Sequence, residues 1–184
     1  MKIKTNKLAK AGIVAALYVI LTYALPTLAY GPIQFRLSEI LTLLAYMDPF
    51  YIGPLTLGCA IANIASPFGI IDVIFGTLAS FITLNCMSRT KNIFLASIWP
   101  SVFSFIVGLE IWFLSETPVN FFLVTGQIML SQFIVVSIIG VPIFKLIERN
   151  NYLVSVIRKW DMGSDPLGHG VRPFVPKIKN QKEE

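Results

Sequence analysis

Basic residues in this chain are placed with a bias that only a membrane explains. If the apolar segments are six crossings with both ends on one side, fourteen of the fifteen Lys and Arg residues fall on that side. They are Lys2, Lys4, Lys7 and Lys10, then Arg89 and Lys91, then Lys145 through Lys182. Arg36 alone falls on the other side, close to Glu39. Lys and Arg accumulate in cytoplasmic loops of helical membrane proteins, so the pattern assigns both termini to the cytoplasm. The composition agrees: 55% of residues are hydrophobic, 14% are charged, and the mean hydropathy is +0.71. Soluble domains carry about a quarter charged residues, so this chain has too little polar surface to coat a water-soluble globule.

Six crossings of about 20 residues each take up most of the 184 residues. The expected fold is therefore an all-α integral membrane bundle over residues 1–160, followed by a flexible basic cytoplasmic tail over 161–184. The basic start and apolar run from Ala11 to Leu25 have the form of a secretory signal. Five more apolar segments follow, and the segment reads as a retained first helix. The net charge of +5 is explained by orientation and anionic lipid, and nucleic acid is excluded as a partner. His169 is the single His and lies in the tail, and Cys59 and Cys86 have no ligands at metal spacing, so neither a metal centre nor a catalytic residue is expected.

The expected helices are about Leu8 to Leu25, stopped by Pro26; a short run from Leu37 to Met47; Phe50 to Ala65, interrupted at Gly53-Pro54; Ile70 to Met87; Ile93 to Leu114; and Val119 to Ile147, kinked before Pro142. The run from Leu37 to Met47 is too short for a ~30 Å core, so either it begins near Ile33 or its outer end stops below the surface. Asp48-Pro49 and Ser66 to Gly69 are turns. Tyr152 to Trp160 has the pattern of a short interfacial amphipathic helix.

Ionisable groups at membrane depth are costly and read as functional. On the assigned topology Glu39, Asp72 and Glu110 all lie near the outer ends of their helices. Asn63 and Gln127 lie near that layer, with Gln34 and Arg36 in the loop above. These seven residues are the expected ligand-binding set, with Trp112, Phe35 and Phe68 at similar depth. Each has an alternative use. Glu39 can pair with Arg36 three residues back, Asp72 can serve a helix N-terminus, Asn63 and Gln127 can join helices, and Trp112 suits an aromatic belt. Glu110 has no basic neighbour in sequence. On the first helix, Ala11, Gly12 and Ala15 form a small-residue stripe that lets another helix approach, either within this protein or from a partner. The chain carries no phosphate-binding loop, so any ATPase that drives it is another chain.

Several stretches together are specific: Tyr30-Gly31-Pro32-Ile33-Gln34-Phe35-Arg36-Leu37-Ser38-Glu39, Gly58-Cys59-x-x-Ala62-Asn63, and Gly69-x-x-Asp72-x-x-Phe75-Gly76-x-Leu78-Ala79. With Val107-Gly108-Leu109-Glu110 and Gly140-x-Pro142, they resemble the queuosine-precursor transporter family (QueT type) over roughly Leu8 to Leu146. These are substrate-binding S components of energy-coupling factor (ECF) transporters. The resemblance implies an S-component-like bundle in a prokaryotic cell membrane, without enzymatic activity or a cofactor of its own. It also implies docking on a coupling transmembrane subunit with two ATPase subunits, which use ATP, through the stripe of Ala11 and Ala15. The implied cargo is a 7-cyano- or 7-aminomethyl-7-deazaguanine. The family pattern leads one to expect a carboxylate near Gln132 and an Asn near Phe103-Ser104, and this chain has neither. The alternatives are an S component for another vitamin or nucleobase-like nutrient, or a membrane enzyme or assembly factor.

Overall fold

The computed structural model describes residues 5–31, 33–115 and 118–158. The expected tail 161–184 lies outside these residues, as do Lys2, Lys4, Pro32, Glu116, Thr117 and Trp160. Within them the chain is helical and contains no strand. Helix α1 is Thr5–Tyr23, α2 Pro26–Ala29, α3 Leu43–Met47, α4 Ile52–Asn63, α5 Ile70–Arg89, α6 Ile93–Leu114, α7 Phe121–Gln132, α8 Val141–Arg149 and α9 Asn151–Arg158. Three described helical stretches, Ile70–Arg89, Ile93–Leu114 and Phe121–Arg149, are long and apolar enough to cross a membrane. Large apolar side chains point outward from many sides of the bundle, among them Ile13, Ile64, Ile70, Phe113 and Phe122. Helices apolar all round belong in lipid. This is a membrane protein.

Local chemistry sets the helix ends. α1 ends at Tyr23 because Leu25, preceding a proline, is held out of the helical region (φ −135°, ψ 65°). Pro26 does more than stop that helix: it opens α2, where its missing N–H leaves no extra unpaired group. Gly53-Pro54 does not interrupt α4 either. Pro54 falls in the first turn, whose N–H groups have no intrahelical acceptor in any case. Asp48 makes the expected turn, its carboxylate accepting from Phe50 N at 2.8 Å. Asn92 caps α6 in the same way through Phe94 N, and Asn120 caps α7 through Leu123 N.

Of the two possibilities for the short run from Leu37 to Met47, the structure shows the later start. Arg36 is extended (φ −102°, ψ 107°) and a 3-10 segment, Leu37–Thr42, leads into α3. The expected kink before Pro142 takes the form of a π-helix, Phe133–Gly140, between α7 and α8. Pro142 cannot donate to Ile138, and a wider turn relieves the crowding of its ring against the preceding carbonyls.

The bundle has two contrasting ends. One, the basic end, carries Lys7, Lys10, Arg89, Lys91 and α9. Its core joins Leu43, Met47, Met87, Val135, Val136 and Phe144, all buried. α9 folds under it, with Val154 buried and Tyr152, Leu153 and Val156 exposed. Lys10 Nζ donates to the carbonyls of Val156 (2.7 Å) and Ile157 (2.8 Å), and the Tyr51 hydroxyl donates to Ile157 O (3.0 Å). The other, the loop end, carries the polar residues.

α1 packs closely on α4 at Gly58, where a Cβ would sit 2.9 Å from Tyr18 Cβ and 3.0 Å from Ala15 O. Ala15 is therefore buried inside the protein and Ala11 is half-buried, whereas Gly12 is exposed. Of the stripe expected for a partner helix, Ala15 is used internally. The small residues left exposed on α1 are Ala9, Gly12 and Ala16.

Candidate functional site

In the segment from Leu25 to Arg36, Leu25, Pro26, Thr27, Leu28 and Ile33 are exposed, whereas Ala29, Gln34 and Arg36 are buried in the bundle. Phe35 N donates to Leu28 O (2.8 Å), Gln34 N donates to Gly31 O (2.9 Å), and the Ser131 hydroxyl of α7 donates to Gln34 O (3.3 Å). Gln34 sits at φ +48°, a left-handed conformation uncommon outside glycine. Such backbone persists where the surroundings over-determine it, and it concentrates at ligand sites.

Arg36 anchors this segment. Its Nε donates to Ala29 O (3.1 Å) and its Nη1 to Asn63 Oδ1 (2.8 Å), while Nη2 lies 3.7 Å from Asp72 Oδ2. The guanidinium also lies over the Tyr30 ring, 5.3 Å from its centroid. Arg36 and Asp72 are both buried, 6% and 1% exposed. Asn63 completes the group, donating from Nδ2 to Asp72 O (3.2 Å). Gly76 makes room for it, because a Cβ there would overlap Asn63 Nδ2. Tyr30 ties the segment down a second time by donating to Ala62 O. Burial pushes the Tyr30 hydroxyl up to about 12, against the opposing pull of Arg36, so at neutral pH it remains a donor.

Glu39 is not the ion-pair partner of Arg36; Asp72 is. Glu39 instead accepts from the Tyr18 hydroxyl of α1 at 2.5 Å, next to the Thr22–Ser38 hydroxyl pair (2.7 Å). These bonds fix the carboxylate at the start of the 3-10 segment. Beside it lies a cavity of about 40 Å³, room enough for solvent. Gln34, Arg36, Glu39 and Thr42 form one wall. Gly76, Ala79, Ser80 and Thr83 on α5 form a second, and Pro100, Phe103, Ser104 and Val107 on α6 a third. Ile128 and Gln132 close it on α7. Phe103 is itself backed by Trp99, the rings stacked at 5.6 Å and 23°.

Three of the seven expected binding residues, Gln34, Arg36 and Glu39, thus line the cavity. Asn63 and Asp72 stand behind it and position Arg36. Glu110 is buried, 5% exposed, with neither carboxylate oxygen hydrogen-bonded, and it does not line the cavity. Gln127 is half-buried on α7, also away from it. Trp112 meets Phe113 and Phe121 edge-on at the exposed surface, the belt arrangement. Of the other lining residues, Thr42, Ser80 and Thr83 were not expected from the sequence, while Phe103, Ser104 and Gln132 entered only as positions where the chain departs from the family pattern. The available signal was the spacing Gly76, Ser80, Thr83, which puts small and hydroxyl side chains on one stripe of α5.

The arrangement suits a small, flat, polar molecule. It offers a fixed carboxylate, a cation already paired, two amides, hydroxyls, and the stacked pair of Trp99 and Phe103.

Comparison with known proteins gives the same direction. The family model described as "QueT transporter" matches residues 8–149. The "Queuosine precursor transporter QueT" of Lactococcus lactis subsp. cremoris (strain MG1363) is 38% identical over 149 residues, covering 72% of this chain and 86% of that protein. No solved structure matches the chain significantly.

Proposed function

Because the chain belongs to the QueT transporter family, we propose that it is the substrate-binding S component of an ATP-driven ECF importer. Its cargo in this reading is a queuosine precursor, a 7-cyano- or 7-aminomethyl-7-deazaguanine, taken up from outside. The observation that carries the reading is Glu39, held by Tyr18 on the wall of an otherwise mostly neutral cavity. A guanine edge presents adjacent N–H donors, and one carboxylate can accept both in a charge-assisted pair. Phe103 provides a ring face for stacking, and amides and hydroxyls can meet the carbonyl side.

The topology in this reading has six crossings in the cell membrane with both termini cytoplasmic. The charge bias supports it, since the basic end then faces inward. The segment from Thr27 to Phe35 closes over bound ligand, with Arg36 and Tyr30 as its latches. The subunit then docks on a coupling transmembrane protein carrying two ATPases. The exposed small residues of α1, Ala9, Gly12 and Ala16, supply the close-approach face beside Ala11 and the buried Ala15.

Calorimetric titration of purified protein with the two deazaguanines tests the reading. Glu39→Gln should weaken binding by about 1–3 kcal/mol for the lost charge-assisted bond. Absence of binding to either compound by the parent protein would remove the proposed cargo.

A further inference from the structure

We infer that Gln132 is a ligand-contacting residue and sets which ring substituent the cavity accepts. The inference rests on the reading above that the cavity holds the ligand. Gln132 is the last residue of α7, directly before the π-helix Phe133–Gly140. It lines the cavity together with Glu39, Gln34 and Phe103. Its Oε1 is buried and has no hydrogen-bond partner.

Buried amide oxygens are almost always bonded, so an unbonded one on a cavity wall needs an explanation. Packing does not supply one, since Leu or Met would fill the same volume without an orphaned acceptor. Two neighbouring hydroxyls are committed elsewhere: Ser131 donates to Gln34 O and Ser104 to Pro100 O. Arg36 Nη2, on the same cavity wall, also lacks a hydrogen bond, so a molecule in the cavity can meet an orphaned acceptor and an orphaned donor together. A side-chain amide can also turn over, so the position can accept from an N–H or donate to a ring carbonyl or nitrile nitrogen. The π-helix begins at the next residue. Backbone geometry of this kind recurs at functional sites.

The contact is neutral, and this gives it a role distinct from that of Glu39. An amide at this position can serve a nitrile or an aminomethyl group alike, whereas a carboxylate would favour the cation. Charge at residue 132 therefore controls the preference between the two.

Two variants of similar size test this: Gln132→Met and Gln132→Glu. Affinities for 7-cyano- and 7-aminomethyl-7-deazaguanine are measured by titration, alongside the melting temperature of ligand-free protein. Gln132→Met should lose about tenfold in affinity for at least one compound while ligand-free stability holds, as for a buried hydrogen bond left unmade. Gln132→Glu should raise the ratio of aminomethyl to cyano affinity by about tenfold or more, the scale of one charge-assisted bond. A role in packing alone would move the melting temperature and leave that ratio unchanged. An unaltered ratio in Gln132→Glu overturns the inference even if Gln132→Met fails to fold, and leaves the proposed cargo standing. If the parent protein binds neither compound, both fall together.

Discussion

The two ends of the bundle are held by opposite means. At the basic end the interior is largely apolar, with buried neutral contacts such as the Ser97–Ser137 hydroxyl pair (2.9 Å) and the Tyr51 hydroxyl on Ile157 O (3.0 Å), and Lys10 is half-buried. At the loop end one cation, Arg36, is buried with Glu39, Asp72 and Glu110 close by, and several of their atoms lack hydrogen bonds. Apolar packing stabilises without needing a partner of defined charge. A buried charge cluster costs desolvation energy, and its compensation is only as good as its geometry. The loop end therefore gives up stability for a defined arrangement around a cavity, and the basic end supplies the rigid base.

The largest expected effect breaks that contrast directly. Arg36→Leu leaves Asp72 buried without its cation and Asn63 without its donor, and should lower unfolding stability by about 3–5 kcal/mol in a detergent melt. The double variant Arg36→Leu, Asp72→Leu should recover most of that loss, because removing a whole buried pair is often close to neutral. A single variant no less stable than the parent would show that the two ends are held alike. Next in size is a steric test at the α1–α4 contact. Gly58→Val should cost about 1–3 kcal/mol by overpacking, since the new side chain meets Tyr18 and the backbone of Ala15. The same substitution at Gly12, where nothing lies within 4 Å, should be far milder, and equal losses would refute the close approach. The smallest effect belongs to the basic end. Lys10→Met removes a cation from the C-terminus of α9, worth about 0.3–1 kcal/mol. It should speed amide exchange in Tyr152 to Ile157 without moving the global melt, and unchanged exchange would show that α9 is held by its apolar face alone.

Much of the frame was legible in the sequence because the bilayer imposes strong, local rules. α6 starts and ends at Ile93 and Leu114 as expected, since Asn92 is a capping residue and an apolar run of membrane length lies between polar turns. Glu39 stood out as a candidate because charges at membrane depth are rare, and Arg36 because it is the one basic residue away from the basic end; both line the cavity. The depth of the cavity was not legible. Ser80, Thr83, Ser104 and Gln132 are uncharged residues within apolar runs, and in a membrane helix such residues serve equally well as interhelical bonds. Which of them faces a void depends on how helices rotate against one another, and hydropathy does not encode that rotation. The same holds for Ala15, whose burial follows from Gly58 on another helix. Pro54 misled for a different reason: a proline's effect depends on its position within a turn, one or two residues finer than the apolar pattern resolves.

The π-helix has a consequence for how this sequence tolerates length changes. Phe133–Gly140 holds its eight residues in wider turns than an α-helix does. Loss of one residue there would let the stretch rewind as ordinary helix with little change in the phase of α8 relative to α7, because the wider turns are what absorb the extra residue. Loss of a second residue would have no such slack to draw on and would turn α8 by about 100°, taking Phe144 out of the core and re-aiming Lys145 and Glu148. A deletion longer than one residue in this stretch would thus be felt at the basic end of the bundle, where Phe144 packs.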